Sequence, residues 1–521
     1  MFARAASGSV FGVQACDVLV ECQRGKGLPG LSLIGLARGA VRESVVRVRA
    51  AIAAAGVELG SLHAVMNLLP AELEKDASAL DLAVAVALLA SSGQVPLAAL
   101  AKRRFYGELS LGGALEPARG AVLLADLARR AGDAELIVPA SNASEAAMIP
   151  GVRVLGARHL GDVVAHLRGE QELVAATSAA PAGRGSTSCL ADVRGQERAK
   201  RALELAAAGG HNLLLVGPPG SGKTMLARRL AGLLPVLDAE ESIEVTRIYS
   251  AAGLLAGQAL ACEPPFRAPH HTASDAALCG GGARPRPGEV TLAHRGVLFL
   301  DELPEFSRRA LESLREPLEA GEIHIARAAK SLCFPARVLL VAAMNPCPCG
   351  NHVSPAWSGR AVASASLAPG APCLCSFEQL QRYRARISGP LLDRIDLHVD
   401  VAAVPYRDYA RVKPCETTTC VRERVGRARA KQVARLGVGR CNASMGDAEL
   451  RRRVPLEGAS LPLIEAAIDE RGLSTRAIAR VLKVACTIAD LAGEQRVSCE
   501  HLQEALGFRL PVDRGALRAV A

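Results

Sequence analysis

The chain has 521 residues, half of them apolar, and a formal net charge of +10. This length predicts several domains with sizeable cores. No apolar run approaches the roughly 18 residues of a membrane span, and the start at Met1 lacks a secretory signal pattern, so we expect a cytoplasmic protein without membrane segments. The fifteen cysteines are odd in number and scattered, which favours reduced thiols over a disulfide framework. The positive charge is compatible with a polyanionic partner.

Residues 1–170 form the first predicted domain. Short apolar runs at residues 18–20 and 31–34 predict strands, and helical periodicity covers residues 41–55 and 79–91. This mixture predicts a compact α/β domain. Ala, Ser, Pro, Gly and Thr then dominate residues 171–188. Because that composition buries too little surface to order itself, we interpret this stretch as a linker.

Residues 189–404 form the second predicted domain. They begin with a strand, a glycine-rich turn and a helix, and further strand signals follow at residues 297–300 and 338–342. This order predicts a parallel sheet flanked by helices, an α/β core. Residues 405–521 then carry helix patterns over 422–434, 461–469, 475–492 and 500–506, which predict an all-helical C-terminal lid.

A phosphate-binding loop follows the first strand of this core. It reads Gly217-Pro218-Pro219-Gly220-Ser221-Gly222-Lys223-Thr224 and opens a helix, the context of a Walker A motif. Its glycines allow backbone N–H groups to point into a concavity at the helix N-terminus, where phosphate is favoured. We expect Lys223 to reach the terminal phosphates of ATP and Thr224 to ligate Mg²⁺.

Two later strands end in polar side chains that complete this chemistry. Asp301 and Glu302 follow the apolar run 297–300, as in a Walker B motif. We expect Asp301 to hold Mg²⁺ and Glu302 to orient or deprotonate the attacking water. Asn345 ends the next apolar run and resembles a sensor 1 residue, placed to contact the water or the γ-phosphate. The alternative for Asn345 is a simple turn former.

Four cysteines form two Cys-x-Cys pairs, Cys347 with Cys349 and Cys373 with Cys375. Four thiolates are able to close a tetrahedral structural zinc site. The spacing is tighter than the usual two-residue gap, and the alternative is unligated cysteines packed near the sensor strand.

Several long motifs together resemble the magnesium-chelatase-like AAA+ proteins, and among them the branch associated with bacterial competence. They occupy residues 266–272, 301–306, 345–350 and 388–396. The resemblance implies a hexameric, ATP-driven DNA helicase that promotes branch migration during natural transformation. It also implies a hairpin over residues 322–334 that faces a central channel, where Arg327 and Lys330 would contact the backbone of single-stranded or branched DNA. The alternative for these two residues is an ordinary solvated turn.

The same resemblance suggests further nucleotide contacts. Arg394 resembles the arginine finger that reaches a neighbouring subunit's ATP, which implies a homo-oligomeric ring, and Arg476 resembles a sensor 2 arginine that acts within one subunit. For both, the alternative is a surface ion pair. Val193 and Gln196 lie in a segment that resembles the adenine-side contact of such motors.

The N-terminal domain resembles the protease domain of the Lon family in fold. The matching positions carry Ala79 in place of the nucleophilic serine and Val122 in place of the lysine base. Because a Ser-Lys dyad needs both groups, we expect no proteolysis, and Ser78 lies one residue away from the required position. Two alternatives to a DNA motor stay open. The first is an ATPase subunit that drives metal insertion into a porphyrin, and the second, with less support, is an ATP-dependent peptidase.

Overall fold

A computed structural model describes most of the chain. The described residues are 1–25, 30–35, 38–59, 63–72, 75, 77–178, 189–255, 261–281, 285–326, 331–351, 373–402, 416–454, 460–471 and 473–509. They form two compact units. Unit 1 comprises Met1–Gly183, Leu237–Cys262 and Gly282–Pro287, and unit 2 comprises Arg184–Val236, Glu263–Gly281 and Gly288–Ala521. Within the described part of the chain, no helix combines the length and the apolarity needed to span a bilayer.

Unit 1 is built on a seven-stranded mixed sheet in the order β3-β4-β2-β1-β5-β8-β9. Its strands are β1 (Phe2–Phe11), β2 (Gln14–Gly25), β3 (Gly30–Ile34), β4 (His63–Leu69), β5 (Arg103–Phe105), β8 (Glu135–Pro139) and β9 (Arg153–Ala157), and a small hairpin adds β6 (Glu108–Leu109) and β7 (Leu115–Glu116). Its first helices are α1 (Arg38–Ala54), α2 (Asp81–Ser91), α3 (Ala121–Ala131), α4 (Ala140–Ala146) and α5 (Leu160–Arg168). The α/β character predicted for this region is therefore present.

Helix α2 forms the centre of unit 1. Every one of its residues is buried, as expected for a helix that is apolar on all faces. Asp81, its first residue, is wholly buried but accepts hydrogen bonds from Ser44 Oγ at 2.7 Å and Arg47 Nε at 2.7 Å. Burial raises the pKa of Asp81, and the bonds from Arg47 and Ser44 oppose that shift. This bonding offsets the cost of placing a carboxylate in the core.

Unit 2 contains a five-stranded parallel sheet in the order β11-β12-β15-β10-β16. The strands are β10 (Leu213–Val216), β11 (Phe266–Arg267), β12 (Val297–Leu300), β15 (Leu339–Met344) and β16 (Leu397–Asp400). Strands β10, β12 and β15 are buried at every position, which explains their continuous apolar sequences. A separate antiparallel hairpin, β13 (Glu322–Ala326) with β14 (Ser331–Pro335), lies outside this sheet.

Helices surround the sheet of unit 2 and dominate its C-terminal part. They are α6 (Glu197–Gly209), α7 (Lys223–Leu233), α9 (Asp275–Cys279), α10 (Glu289–Leu292), α11 (Arg308–Ser313), α12 (Arg315–Ala320), α13 (Phe377–Ala385), α14 (Gly389–Leu392), α15 (Thr418–Leu436), α16 (Asp447–Arg453), α17 (Ser460–Arg471), α18 (Thr475–Ala492) and α19 (Cys499–Gly507). Side chains of the last five helices share one apolar core with side chains of the sheet and of α6 and α7.

One helix departs from the domain limits expected from the sequence. The segment Leu237–Cys262 lies between α7 and β11 of unit 2, yet it belongs to unit 1, where it carries α8 (Ala239–Ala252). Ser250 O accepts the Gly120 N–H at 3.0 Å, and Arg247 lies 2.8 Å from Asp126 of α3. Ala251 and Leu255 add apolar surface to the core beneath α3. The chain therefore leaves unit 2 after α7 and returns to it before β11.

Candidate nucleotide-binding site

The strand order of unit 2 brings the carboxyl ends of three strands together. Strand β15 lies between β10 and β12, with Val216 paired to Met344 and Leu300 paired to Ala342. Gly217, Asp301 and Asn345 are the residues that follow these strands. Because parallel strands end at the same edge, the three segments leave the sheet side by side, which is where α/β folds bind ligands.

The loop after β10 has the shape of a phosphate cradle. Gly220 and Gly222 adopt positive φ of 75° and 90°, a conformation that favours glycine, and Gly222 immediately precedes α7. A Cβ on Gly217 would lie 2.2 Å from the Val401 carbonyl oxygen, so only glycine fits beside β16. The loop therefore directs the amino end of α7 at a concave surface suited to an anion.

Lys223, the first residue of α7, connects the cradle to the neighbouring strand. Its Nζ donates to Gly217 O at 2.7 Å, to Pro218 O at 2.9 Å and to Asn345 Oδ1 at 3.2 Å. Burial lowers the pKa of Lys223, while Asp301 and Glu302 act in the opposite direction. A cation and an amide thus meet where the terminal phosphates of a bound nucleotide would lie.

Two oxygen ligands suited to Mg²⁺ are already in contact. Thr224 Oγ1 donates to Asp301 Oδ2 at 2.8 Å. Mg²⁺ is held in proteins by a few hydroxyl and carboxylate oxygens together with substrate phosphates. The donor set therefore fits a Mg²⁺-nucleotide complex, as the sequence predicts for Thr224 and Asp301.

Glu302 is held in an unusual conformation and has a partner that the sequence did not identify. It adopts φ 52° and ψ 47°, the left-handed region that is rare for a residue with a side chain. Its Oε2 lies 3.1 Å from Nδ1 of His271, and the ring of His271 lies beside that of His270, with ring centroids 4.1 Å apart. Residues 266–272 form one of the motifs that carry the family resemblance. Nothing in their spacing indicates which of the two histidines contacts the carboxylate.

The segment expected on the adenine side lies against the phosphate cradle. Gln196 adopts φ 60°, and its Nε2 donates to Ser221 O at 3.5 Å and to Ala402 O at 2.5 Å. Val193 is buried, and Asp192 lies 3.3 Å from Nη2 of Arg229, a residue of α7. Gln196 therefore contacts the loop that would hold the phosphates, and the neighbouring Asp192 contacts the helix that follows this loop.

The two candidate arginines lie away from these contacts. Arg394 is buried, pairs with Glu319 Oε1 at 2.5 Å and donates to Pro390 O at 2.7 Å. Arg476 is exposed in the first turn of α18. Among the described residues, neither guanidinium hydrogen-bonds to the cradle, to Asp301 or to Asn345. Their roles as finger and sensor stay predictions.

Other predicted site residues have different outcomes. Arg327 and Lys330 fall between β13 and β14, outside the described residues. Cys347, Cys349, Cys373 and Cys375 come together, with all four sulfurs within 4.8 Å of one another. In unit 1, Ala79 and Val122 are buried members of a single apolar cluster. The expectation that unit 1 lacks a Ser-Lys dyad rests on the Lon-like resemblance and stays a prediction.

The parallel sheet, the glycine-rich cradle and the carboxylate pair define an ATPase core of the AAA+ class. Residues 189–409 match the family described as "Magnesium chelatase, subunit ChlI". Residues 20–142 match "Subunit ChlI of Mg-chelatase", and residues 415–509 match "Magnesium chelatase, subunit ChlI C-terminal".

Similarity to individual proteins extends along nearly the whole chain. It is 43% identical to YifB of Escherichia coli, over 97% of this chain and 96% of that protein. It is 42% identical to Competence protein ComM of Haemophilus influenzae, over 97% of each. The magnesium-chelatase 38 kDa subunit of Cereibacter sphaeroides is 28% identical over 29% of this chain and 51% of its own length. The chain therefore belongs to the magnesium-chelatase-like AAA+ family of YifB and ComM, which confirms the resemblance found in its sequence.

Proposed function

We propose that this protein is an ATP-driven DNA motor that works as a homo-oligomeric ring, a hexamer by analogy with its class, and promotes branch migration during natural transformation. The observation that carries the proposal is 42% identity over 97% of the chain to a protein named Competence protein ComM. Hydrolysis of ATP at the nucleotide site would supply the energy for movement on DNA. The magnesium-chelatase 38 kDa subunit, in contrast, matches only 29% of the chain.

The proposed hydrolysis follows from the contacts at the strand ends. The loop Gly217–Thr224 holds the phosphates of ATP, and Lys223 neutralises their charge. Thr224 and Asp301, whose Oγ1 and Oδ2 atoms are 2.8 Å apart, would hold Mg²⁺. Mg²⁺ held there would supply positive charge next to the transferring phosphoryl group. Glu302 orients the attacking water. Asn345, which lies beside Lys223, contacts the water or the γ-phosphate.

The proposed coupling between subunits depends on Arg394. As an arginine finger it would stabilise the transition state on a neighbouring subunit's ATP. Its ion pair with Glu319, 2.5 Å long, has to break before the guanidinium reaches outward. Arg476 would respond to the nucleotide of its own subunit from the start of α18. Hydrolysis in one subunit would then depend on its neighbour.

The proposed DNA contact lies on the β13–β14 hairpin. This hairpin is separate from the core sheet, and the chain places it between the Walker B strand and the sensor strand. Arg327 and Lys330, in the sequence between β13 and β14, would contact the phosphates of DNA. Such contacts bind DNA without reading its sequence and weaken steeply as salt concentration rises.

The experiment that tests the proposal is unwinding of three- and four-stranded DNA junctions by the purified full-length protein. We expect ATP-dependent strand separation that Lys223→Ala abolishes, because the terminal phosphates lose their cation. Metal insertion into a porphyrin with no DNA affinity would instead support the chelatase-type function. Junctions left intact by a protein that hydrolyses ATP in their presence would overturn the DNA-motor proposal.

A further inference from the structure

Two described segments bring four cysteine side chains together beside the nucleotide site. Cys347 and Cys349 follow β15, and Cys373 and Cys375 precede α13. The sulfur of Cys347 lies 3.2 Å from that of Cys349 and 3.8 Å from that of Cys373, and Cys349 and Cys373 are 3.5 Å apart. Since all four sulfurs lie within 4.8 Å of one another, they surround a common centre.

These separations suit a metal ion better than a disulfide. A disulfide holds its sulfurs about 2.05 Å apart, well below any of the separations observed here. Four thiolates bonded to zinc at about 2.3 Å form a tetrahedron whose sulfurs are roughly 3.8 Å apart. Soft sulfur ligands also select zinc over Mg²⁺, the ion of the neighbouring site. We infer that these four cysteines bind one zinc ion in a closed structural site that holds the catalytic end of β15 in place.

The first cysteine pair is joined directly to the nucleotide site. Cys347 is wholly buried two residues after Asn345, whose Oδ1 accepts a hydrogen bond from Lys223 at 3.2 Å. Gly350 has φ 83°, and a Cβ on it would lie 2.5 Å from Cδ of Pro219. The cysteine loop therefore packs against the phosphate cradle itself.

The second pair leads into a helix that contacts the other side of the same site. Ser376 caps α13 immediately after Cys375. Tyr383 is buried on this helix, where the backbone amide of Asn345 interacts with its hydroxyl. Arg386 then lies 2.8 Å from Oε2 of Glu305, in the turn that follows Glu302. A metal that joins both pairs would fix the position of Asn345 from two directions.

Loss of the metal should affect the hydrolysis of ATP much more than the binding of ATP. The glycine cradle, Thr224 and Asp301 belong to other segments and remain when the metal is lost. The main loss of support is at Asn345, because the cysteine loop contacts the cradle on its outer side, at Pro219. We therefore expect metal loss to lower kcat by about 10- to 100-fold, the cost of misplacing a group at the reacting centre, and to leave the KM for ATP nearly unchanged.

Metal binding is tested on the full-length protein, purified without chelators. We expect one zinc ion per chain by elemental analysis. Titration of the metal-free protein with Co²⁺ alone should give the strong near-ultraviolet absorption of several Co²⁺–thiolate bonds. A second cluster, Glu322, His324 and Cys333, offers only one thiolate and would give a much weaker band. Absence of zinc, together with a Co²⁺ spectrum that lacks thiolate absorption, would overturn the site.

The coupling to hydrolysis is tested with Cys349→Ser and Cys375→Ser, and the exposed Cys420→Ser serves as the matched control. We expect the first two variants to lose zinc and kcat together and the control to keep both. Because such variants are open to misfolding, the unmodified protein is also stripped of metal with a chelator, and added zinc should restore kcat. Zinc loss with unchanged kcat would refute the coupling. The metal measurements do not depend on the proposed DNA function, so failure of one is distinguishable from failure of the other.

Discussion

The two units of this protein differ in the side chains that occupy their predicted functional positions. In unit 1, Ala79 and Val122 stand where the Lon-like resemblance places a nucleophile and a base, and both are buried in one apolar cluster. In unit 2, Lys223, Asp301 and Asn345 converge at the edge of a parallel sheet and contact one another or their immediate neighbours. Both units are therefore α/β in character, but the predicted site positions hold polar side chains in contact in unit 2 and buried apolar side chains in unit 1.

The largest expected effect comes from removing the carboxylate of Glu302, which we propose orients the attacking water. Glu302→Gln should lower ATP hydrolysis by about 10²- to 10⁴-fold, since an amide neither accepts the proton of water nor carries the charge that orients it. ATP binding should persist because the cradle is intact. Phosphate release and the binding of a fluorescent ATP analogue measure the two effects. The exposed Glu378→Gln is the matched control, and normal turnover by Glu302→Gln would refute the assigned role.

A lysine placed in the apolar cluster of unit 1 should have the next largest effect. Val122 is wholly buried, so Val122→Lys should destabilise the protein by roughly 4 kcal/mol, the cost of burying an ammonium whose pKa falls by several units. Thermal unfolding measures the loss, and Leu111→Lys, at a position 59% exposed, is the control. We expect no cleavage of casein by this variant or by one that adds Ala79→Ser. Peptidase activity in the double variant would show that the apolar cluster still has the geometry of a protease.

A smaller effect concerns the last residue of β16. Burial raises the pKa of Asp400 to about 6, whereas an aspartate in an unfolded chain titrates near 3.9. The folded protein therefore binds this proton more tightly than the unfolded chain. The stabilisation from that proton is complete below about pH 4 and is lost as the pH rises through 6.

Asp400→Asn should remove this pH dependence. We expect the variant to be more stable than the parent at pH 7.5, by on the order of 1 kcal/mol after allowance for solvent screening, and to match it at pH 4. Urea unfolding at both pH values provides the measurement, and the exposed Glu58→Gln is the control. A parent protein whose stability rises between pH 4 and 7.5 while the variant's does not would contradict the raised pKa.

The smallest expected effect concerns the partner of Glu302. The Nδ1 atom of His271 lies 3.1 Å from Oε2 of Glu302 and restrains this carboxylate. Its removal should raise ATP hydrolysis in the absence of DNA by about two- to fivefold, the value of one partly exposed hydrogen bond. His270→Ala is a close control, because His270 Nδ1 contacts Thr272 and not Glu302. A fall in hydrolysis with His271→Ala would show that the histidine positions the carboxylate for catalysis and does not restrain it.

The sequence predicts which residues of the candidate nucleotide site lie together, because they follow buried strands. Four or more apolar residues ahead of Gly217, Asp301 and Asn345 fix where these residues leave the sheet, and a parallel sheet brings such ends to one edge. The contact between His271 and Glu302 depends instead on the path of the chain after β11, which pairs with β12, and no local sequence pattern predicts that path. The same holds for α8, whose sequence is an ordinary amphipathic helix and carries no sign of which unit it joins.

The excursion of α8 also limits how this protein can be divided. Ala251 and Leu255 pack in the same apolar cluster as Val122 and Ala125, although α7 and β11, on either side of α8 in the chain, belong to unit 2. A fragment that starts at Cys189 would keep α8 but expose its apolar side to water, and a fragment that stops at Gly169 would have a gap in its core. Truncation within residues 171–188, the predicted linker, should therefore yield two poorly soluble pieces. The segment that carries α8 makes the N-terminal unit discontinuous in sequence, so it is not a removable module.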